Sequence, residues 1–118
     1  MENGHIQFGD DFSCNANTKI ICKKKISFGN NVMISWDCTF LDTDFHKVIV
    51  DGEQSNADKE IIVGNHVWIG SETLVLKGAV IPHDTVLAAR STISRRLHDS
   101  NCIYHDNECI KQNINWEH

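Results

Sequence analysis

Val63, Ile69, Val75, Ile81, Leu87 and Ile93 recur at every sixth position without a miss. An α-helix repeats its buried face near 3.6 residues and a strand every 2, so a strict six fits neither. It fits a solenoid whose chain turns a corner after each short strand and returns to the same inward position. Chance is a weak rival. With 41% of the residues hydrophobic, six hits in one register arise about 0.5% of the time, and roughly 3% when every register is allowed. The neighbours sharpen the pattern: Gly64, Gly70, Pro82 and Ala88 stand one step after a repeat position, with Leu76 the exception, and Val67, Thr73, Ala79, Thr85 and Ser91 stand four steps after. A large residue inside, a small one at the corner and a small or β-branched one behind it is what a tight triangular coil needs. A helix through 63–93 is disfavoured by Gly64, Gly70, Gly78 and Pro82.

The period extends backwards through Phe8, Cys14 and Ile20, slips by two residues around Lys23, Lys24 and Lys25, and resumes at Phe28, Ile34 and Phe40. Three strands per turn make the twelve positions about four coils, a prism roughly 19 Å tall at ~4.8 Å per coil. From Phe40 to Val63 the chain uses twenty-three residues where six suffice. About seventeen must therefore leave the prism as a loop (about 42–61), with Gly52, Gln54, Ser55, Asn56 and Asp58 in its polar tip. The domain reading is a β-helix over 1–96 and a C-terminal cap over 97–118, a short strand or helix that covers the open end.

A chain of 118 residues is one domain with a thin core, and the flat faces of a short solenoid predict an oligomer. The net charge of −5 argues against a nucleic-acid binder, although Arg90, Arg95 and Arg96 form a local basic patch. No stretch has the length of a membrane span, and MENGHIQFGDD does not read as a signal peptide. The five scattered cysteines read as reduced thiols of a cytoplasmic protein, with Cys14 and Cys38 packed inside.

Among polar residues, His46 stands at the base of the ejected loop, where a side chain can overlook a cleft. A neutral imidazole of pKa ~6.5 is suited to taking a proton from a hydroxyl near pH 7. A carboxylate or carbonyl nearby would fix its tautomer. Asp42 and Asp44 precede it at a spacing that shares a strand face, one to orient His46 and the other to meet acceptor hydroxyls. The residues alone leave bland readings open: a solvated loop histidine and a turn-forming acidic pair.

The segments FLDTDFH (40–46), GNHVWIGS (64–71) and the repeat run to Ile93, with ISFGNNVMISWDC before them, resemble the hexapeptide-repeat acyltransferases. The likeness covers most of the chain and is greatest to the branch of maltose and galactoside O-acetyltransferases and polysaccharide O-acetyltransferases. The resemblance implies a left-handed parallel β-helix assembled as a homotrimer. It implies acyl transfer from acetyl-CoA to a hydroxyl of a sugar or saccharide by direct attack, without a resident metal, and His46 as the general base. Asn15, in an NAN segment, matches an acceptor-binding region, as do Asp42 and Asp44. Gly70 and Ser71 match the position whose backbone amide meets the acyl carbonyl, and Ala89, one coil later, the next amide along the pantetheine arm. Trp68 reads as a wall of that cleft or as ordinary packing between subunits. Ser94 and Arg95, with Arg96 beside them, stand where the family has a Ser/Thr-Lys pair that meets coenzyme phosphates, and Lys111 is a further candidate.

Two departures stand out. HDNECIK (105–111) lacks the glycine and proline common in the family's tail, and Arg90 occupies a position where glycine is frequent. They lend weight to one alternative, a catalytically idle scaffold. Another is a zinc hydratase of the same fold, for which His66 and His83 are too far apart in sequence to form an evident local pair.

Overall fold

In the computed structural model, which describes residues 4–118, the chain winds through three walls. The first coil is β1 (His5–Phe8), β2 (Ser13–Cys14) and β3 (Lys19–Ile21); the second is β4 (Lys25–Phe28), β5 (Met33–Ile34) and β6 (Thr39–Leu41). The hairpin β7 (Ile49–Val50) and β8 (Glu53–Gln54) leaves the prism. The third coil is β9 (Ile61–Val63), β10 (Val67–Ile69) and β11 (Leu74–Leu76), and the fourth is β12 (Val80–Ile81), β13 (Thr85–Leu87) and β14 (Thr92–Ile93). A closing hairpin, β15 (Cys102–His105) and β16 (Glu108–Gln112), completes the chain. Wall one is β1-β4-β9-β12, wall two β2-β5-β10-β13-β15 with β16 outermost, and wall three β3-β6-β11-β14. The architecture is a left-handed parallel β-helix.

The six-residue period and the register are one fact. Phe8, Phe28, Val63 and Ile81 stack on wall one, Cys14, Ile34, Ile69 and Leu87 on wall two, and Ile20, Phe40, Val75 and Ile93 on wall three. Nine of these twelve, from Phe28 onward, are buried. Phe8 lies flat on Phe28 with centroids 5.3 Å apart, and Phe28 meets Phe40 edge-on at 5.1 Å. Cys38 is buried as expected, but Cys14 is exposed. It faces inward on the first coil, which among the described residues has no coil stacked on its outer side, and Phe8 is 49% exposed for the same reason.

Corners require left-handed backbone, and this sequence supplies it mostly with Asn and Asp. Asp11, Asn31, His66 and Asp84 line the edge between walls one and two at φ of 55–58°, and Asn17, Asp37, Glu72 and Arg90 the edge between walls two and three at 59–64°. Arg90, at φ 62°, therefore occupies a position where glycine would be unstrained. Among the described residues no helix is long and apolar enough to cross a membrane. The tail also forms no helix there: β15 and β16 lengthen wall two, and the residues after Gln112 turn back along the outside.

Candidate active site

Both departures from the period fall on the edge between walls three and one. The two-residue slip leaves the main-chain amides of Lys23, Lys24 and Lys25 without coil partners, and Asp42 takes them. Its Oδ1 accepts from Lys23 N–H at 2.7 Å, and Oδ2 from Lys24 and Lys25 N–H at 2.8 Å each, with the Cys22 thiol at 3.4 Å. Asp42 is fully buried, so its expected contact with an acceptor is corrected: the carboxylate stabilises a bulge. Burial first, then the adjacent Asp42, raises the Cys22 pKa. Asp42 and Asp44 do not share a strand face, because β6 ends at Leu41 and strict alternation ends with it.

Beyond Asp42 the chain turns through Phe45 at φ 65°, a conformation that costs a bulky residue of order 1–3 kcal/mol and persists only where neighbours enforce it. They do so here. Phe45 N–H donates to Thr43 Oγ1 at 3.0 Å, and His46 N–H to the Asp44 carbonyl at 2.7 Å. Asn56 Nδ2 bridges Asp44 Oδ2 (3.0 Å) and the His46 carbonyl (2.8 Å), while its Oδ1 accepts from Val48 N–H at 2.6 Å. Lys77 Nζ lies 2.7 Å from Asp44 Oδ2; this ammonium, then the Asn56 amide, holds the Asp44 carboxyl below its ordinary value. The main chain on either side of His46 is thus fixed while its ring is exposed. Neither Asp42 nor Asp44 hydrogen-bonds that ring, so the expected carboxylate partner is absent among the described residues. The ring borders a cleft of about 290 Å³ with Lys23, Lys47, Gln54 and Asp58.

The edge between walls two and three is regular. Asn15, Ser35 and Gly70 donate N–H to carbonyls of the next coil at 2.9, 2.9 and 2.8 Å, and Asp37, Glu72 and Arg90 donate back to Ala16, Trp36 and Ser71 at 3.1, 2.9 and 2.8 Å. The residues between, Ala16, Trp36, Ser71 and Ala89, have N–H groups with no partner among the described residues. They form a vertical row of free donors about 4.8 Å apart. The expectation for Gly70 is corrected: its amide is bonded to Leu87 O. Its missing side chain matters more, because a Cβ there would lie 2.7 Å from Leu87 O and Ala89 N. Asn15 is an exposed corner residue on the same edge. Trp68 stands outward on wall two, 37% exposed, with Nε1 donating to Ser35 Oγ at 3.2 Å.

Ser94 and Arg95 do not share that edge; they follow β14, across wall three from Ala89. Ser94 N–H donates to Asn107 Oδ1 at 3.0 Å, and Arg95 borders a cavity of about 330 Å³ under the last coil with Arg96, His98 and Tyr104. Lys111 is exposed on β16. His66 and His83 sit on one edge, but His66 Nδ1 pairs with Asp84 Oδ1 at 2.8 Å and His83 Nδ1 accepts from Asn65 N–H at 2.7 Å. Among the described residues no three His, Cys, Asp or Glu side chains converge as a metal site.

Three features escaped the sequence reading. Asn56 lies at the loop base and not in its tip, which is Asp51 and Gly52 at φ 51° and 80°; an Asp-Gly pair after Val48, Ile49 and Val50 is a hairpin signal. Trp36, 55% exposed, follows Ile34 by two residues as Ser71 follows Ile69, so the repeat itself places it above Ser71. Trp116 has no such periodic marker.

No protein-family model matches this chain. It is 38% identical over 66 residues to a polysialic acid O-acetyltransferase of Neisseria meningitidis, covering 54% of this chain and 31% of that protein. It is 30% identical over 94 residues to a galactoside O-acetyltransferase of Escherichia coli (strain K12), covering 77% and 45%. Among solved structures, the polySia-specific acetyltransferase NeuO superposes with a TM-score of 0.90 at 24% identity, covering 96% of this chain and 50% of that one. The chain thus spans half or less of the length of each of these proteins.

Proposed function

The chain belongs to the hexapeptide-repeat acyltransferase family, and from that premise we propose that it transfers an acetyl group from coenzyme A to a hydroxyl of a saccharide. The observation that carries this is the row of unpartnered amides, with Ser71 and Ala89 one coil apart. Preorganised N–H donors stabilise the oxyanion of a thioester under attack without adding net charge. His46 removes the acceptor proton as that oxygen attacks the acyl carbon. The carbon–sulfur bond then breaks, and the proton passes from His46 to the departing thiolate.

The base and the donors come from different copies. Ser71 and Ala89 lie on one edge of the prism and the His46 loop on the next, a wall of six residues apart, up to about 20 Å of chain. Proton abstraction needs contact near 3 Å. A homotrimer, in which one copy's loop meets its neighbour's amide row, resolves this, and half-buried Leu41, Leu74 and Leu76 outside wall three give it an apolar surface to bury. Lys23 and Lys47 beside His46 favour an acceptor that carries carboxylates, and five free thiols suit a reducing cytoplasm.

The test is acetyl transfer from acetyl-CoA to neutral and to carboxylate-bearing saccharides. His46→Ala should lower the rate about 10²–10⁴-fold with folding and assembly unchanged; a wild-type rate in that variant overturns its role. Coenzyme A binding with no transfer to any saccharide would favour the idle scaffold.

A further inference from the structure

The last residues of the chain do not cap the prism; they climb it. After β16, Ile114 N–H donates to Asn101 O at 3.0 Å and Asn101 Nδ2 donates to Ile114 O at 3.3 Å, which pins the tail to the corner between walls one and two. Two residues later the Trp116 indole lies flat on the His66 ring, with centroids 4.1 Å apart and planes 9° from parallel, and its Nε1 donates to His66 O at 2.9 Å. His66 is itself held by Asp84, one coil on. Trp116 is only 5% exposed, yet it is not part of the central apolar cluster. Its burial comes entirely from the outside of the prism.

The other neighbour of Trp116 is Trp68, with centroids 6.1 Å apart and planes at 46°. Trp68 is gripped at its far end by Ser35, 7% exposed. Its indole thus reaches across the outside of wall two, from the tail on one edge towards the row of free amides on the other, and stays 37% exposed. An aromatic ring free on one side would have several rotamers open to it; contacts at two points leave it one.

We propose that Trp116 is a positioning residue for the donor cleft: the tail clamps Trp68 so that its open face stands beside the Ser71 amide, where the pantetheine arm and acyl thioester lie. This rests on the reading of Trp68 and Ser71 as donor-binding. Trp116 touches no reacting atom and acts through Trp68, so the expected effect is on coenzyme affinity and not on the chemical step.

Calorimetric titration with coenzyme A, beside steady-state transfer kinetics on the full chain, tests it. Trp116→Ala should weaken coenzyme binding and raise KM for acetyl-CoA about three- to tenfold, with kcat within about twofold. Trp116→Phe, which keeps a ring on His66, should recover most of the affinity. Trp116→Leu, which fills the volume without an aromatic face, should not, and it serves if the alanine variant fails to fold. Adding Trp116→Ala to Trp68→Ala should have no further effect, because residues that act through each other are not additive. Wild-type affinity in folded Trp116→Ala or Trp116→Leu, or additive losses in the double variant, overturns the clamp alone. A wild-type protein that binds no coenzyme A overturns the acyltransferase reading and the clamp with it.

Discussion

Two edges of one prism, built from the same repeat, do opposite things. Between walls two and three every coil has the same corner, a bonded amide, a free amide, then a residue in the left-handed region, and from the second coil onward that residue donates back. Regularity there turns the backbone into a row of donors at constant spacing. Between walls three and one the period fails twice, at Lys23–Lys25 and after Leu41, and side chains do what the backbone cannot. Asp42 satisfies three amides, Asn56 ties the loop base, and Phe45 accepts an unfavourable φ so that His46 stands clear. In the proposed mechanism the regular coil stabilises charge, whereas the interruption presents the proton acceptor.

The strongest way to break this contrast is to remove the residue that makes the interruption foldable. Asp42→Ala removes a buried carboxylate and leaves three part-buried main-chain amides without their acceptor. Hydrogen bonds to a charged group are worth more than neutral ones, so the loss should be about 3 kcal/mol of folding stability, read as a lower midpoint in urea. His46→Ala, four residues on and exposed, should change folding stability by less than about 0.5 kcal/mol while lowering the transfer rate about 10²–10⁴-fold. An Asp42→Ala midpoint at the wild-type value would mean that the bulge does not need its carboxylate.

A smaller effect should follow from touching the regular edge. In Gly70→Ala the new Cβ would meet Leu87 O and Ala89 N at 2.7 Å, both backbone atoms that cannot rotate away. The coils must part locally, at about 1–3 kcal/mol. Because the same shift moves Ser71 relative to Ala89, activity should fall more than stability alone explains, with KM for acetyl-CoA rising. A variant that loses stability and keeps its KM would show that the spacing of the two amides is not what the donor reads.

These edges also differ in how far the sequence disclosed them. The regular one was legible almost entirely: Ile69 and Leu87 pair across coils as the period requires, and Ser71 and Ala89 follow at a fixed offset. What a period cannot reveal is which amide is free, since Gly70 and Ser71 are adjacent and only the three-dimensional pairing separates them. At the irregular edge the position of His46 was legible from the broken period, but its supports were not. Asp42 and Asp44 look alike in sequence; one is sealed by amides 17 to 19 residues earlier in the chain, the other lies open beside Lys77. Asn56 reaches back ten residues to His46, and Trp116 fifty to His66. Contacts between irregular segments carry no periodic signature.

The smallest effect, and the one specific to the irregular edge, concerns pH. Lys77 and then Asn56 hold the Asp44 carboxyl below its ordinary value in the folded loop. A carboxylate with a depressed folded pKa stabilises the fold above its unfolded pKa of ~3.9, and the contribution is lost as pH falls through the lower, folded value. The contribution of Asp44 to the loop base should therefore be constant at neutral pH and should be lost only below about 4. The Asn56 side-chain amide resonances, one of whose protons meets Asp44, should follow that transition in a nuclear magnetic resonance titration. In Asp44→Asn this acid transition should be absent. Asp44 is exposed, so the shift should shrink in 1 M salt as the Lys77 charge is screened. The amides of Ser71 and Ala89 pair with no titrating group, and their resonances should stay in place over the same range. A midpoint at the ordinary carboxylate value would show that Lys77 does not brace the loop. Movement of Ser71 and Ala89 in step with Asn56 would show that the two edges are coupled within one chain.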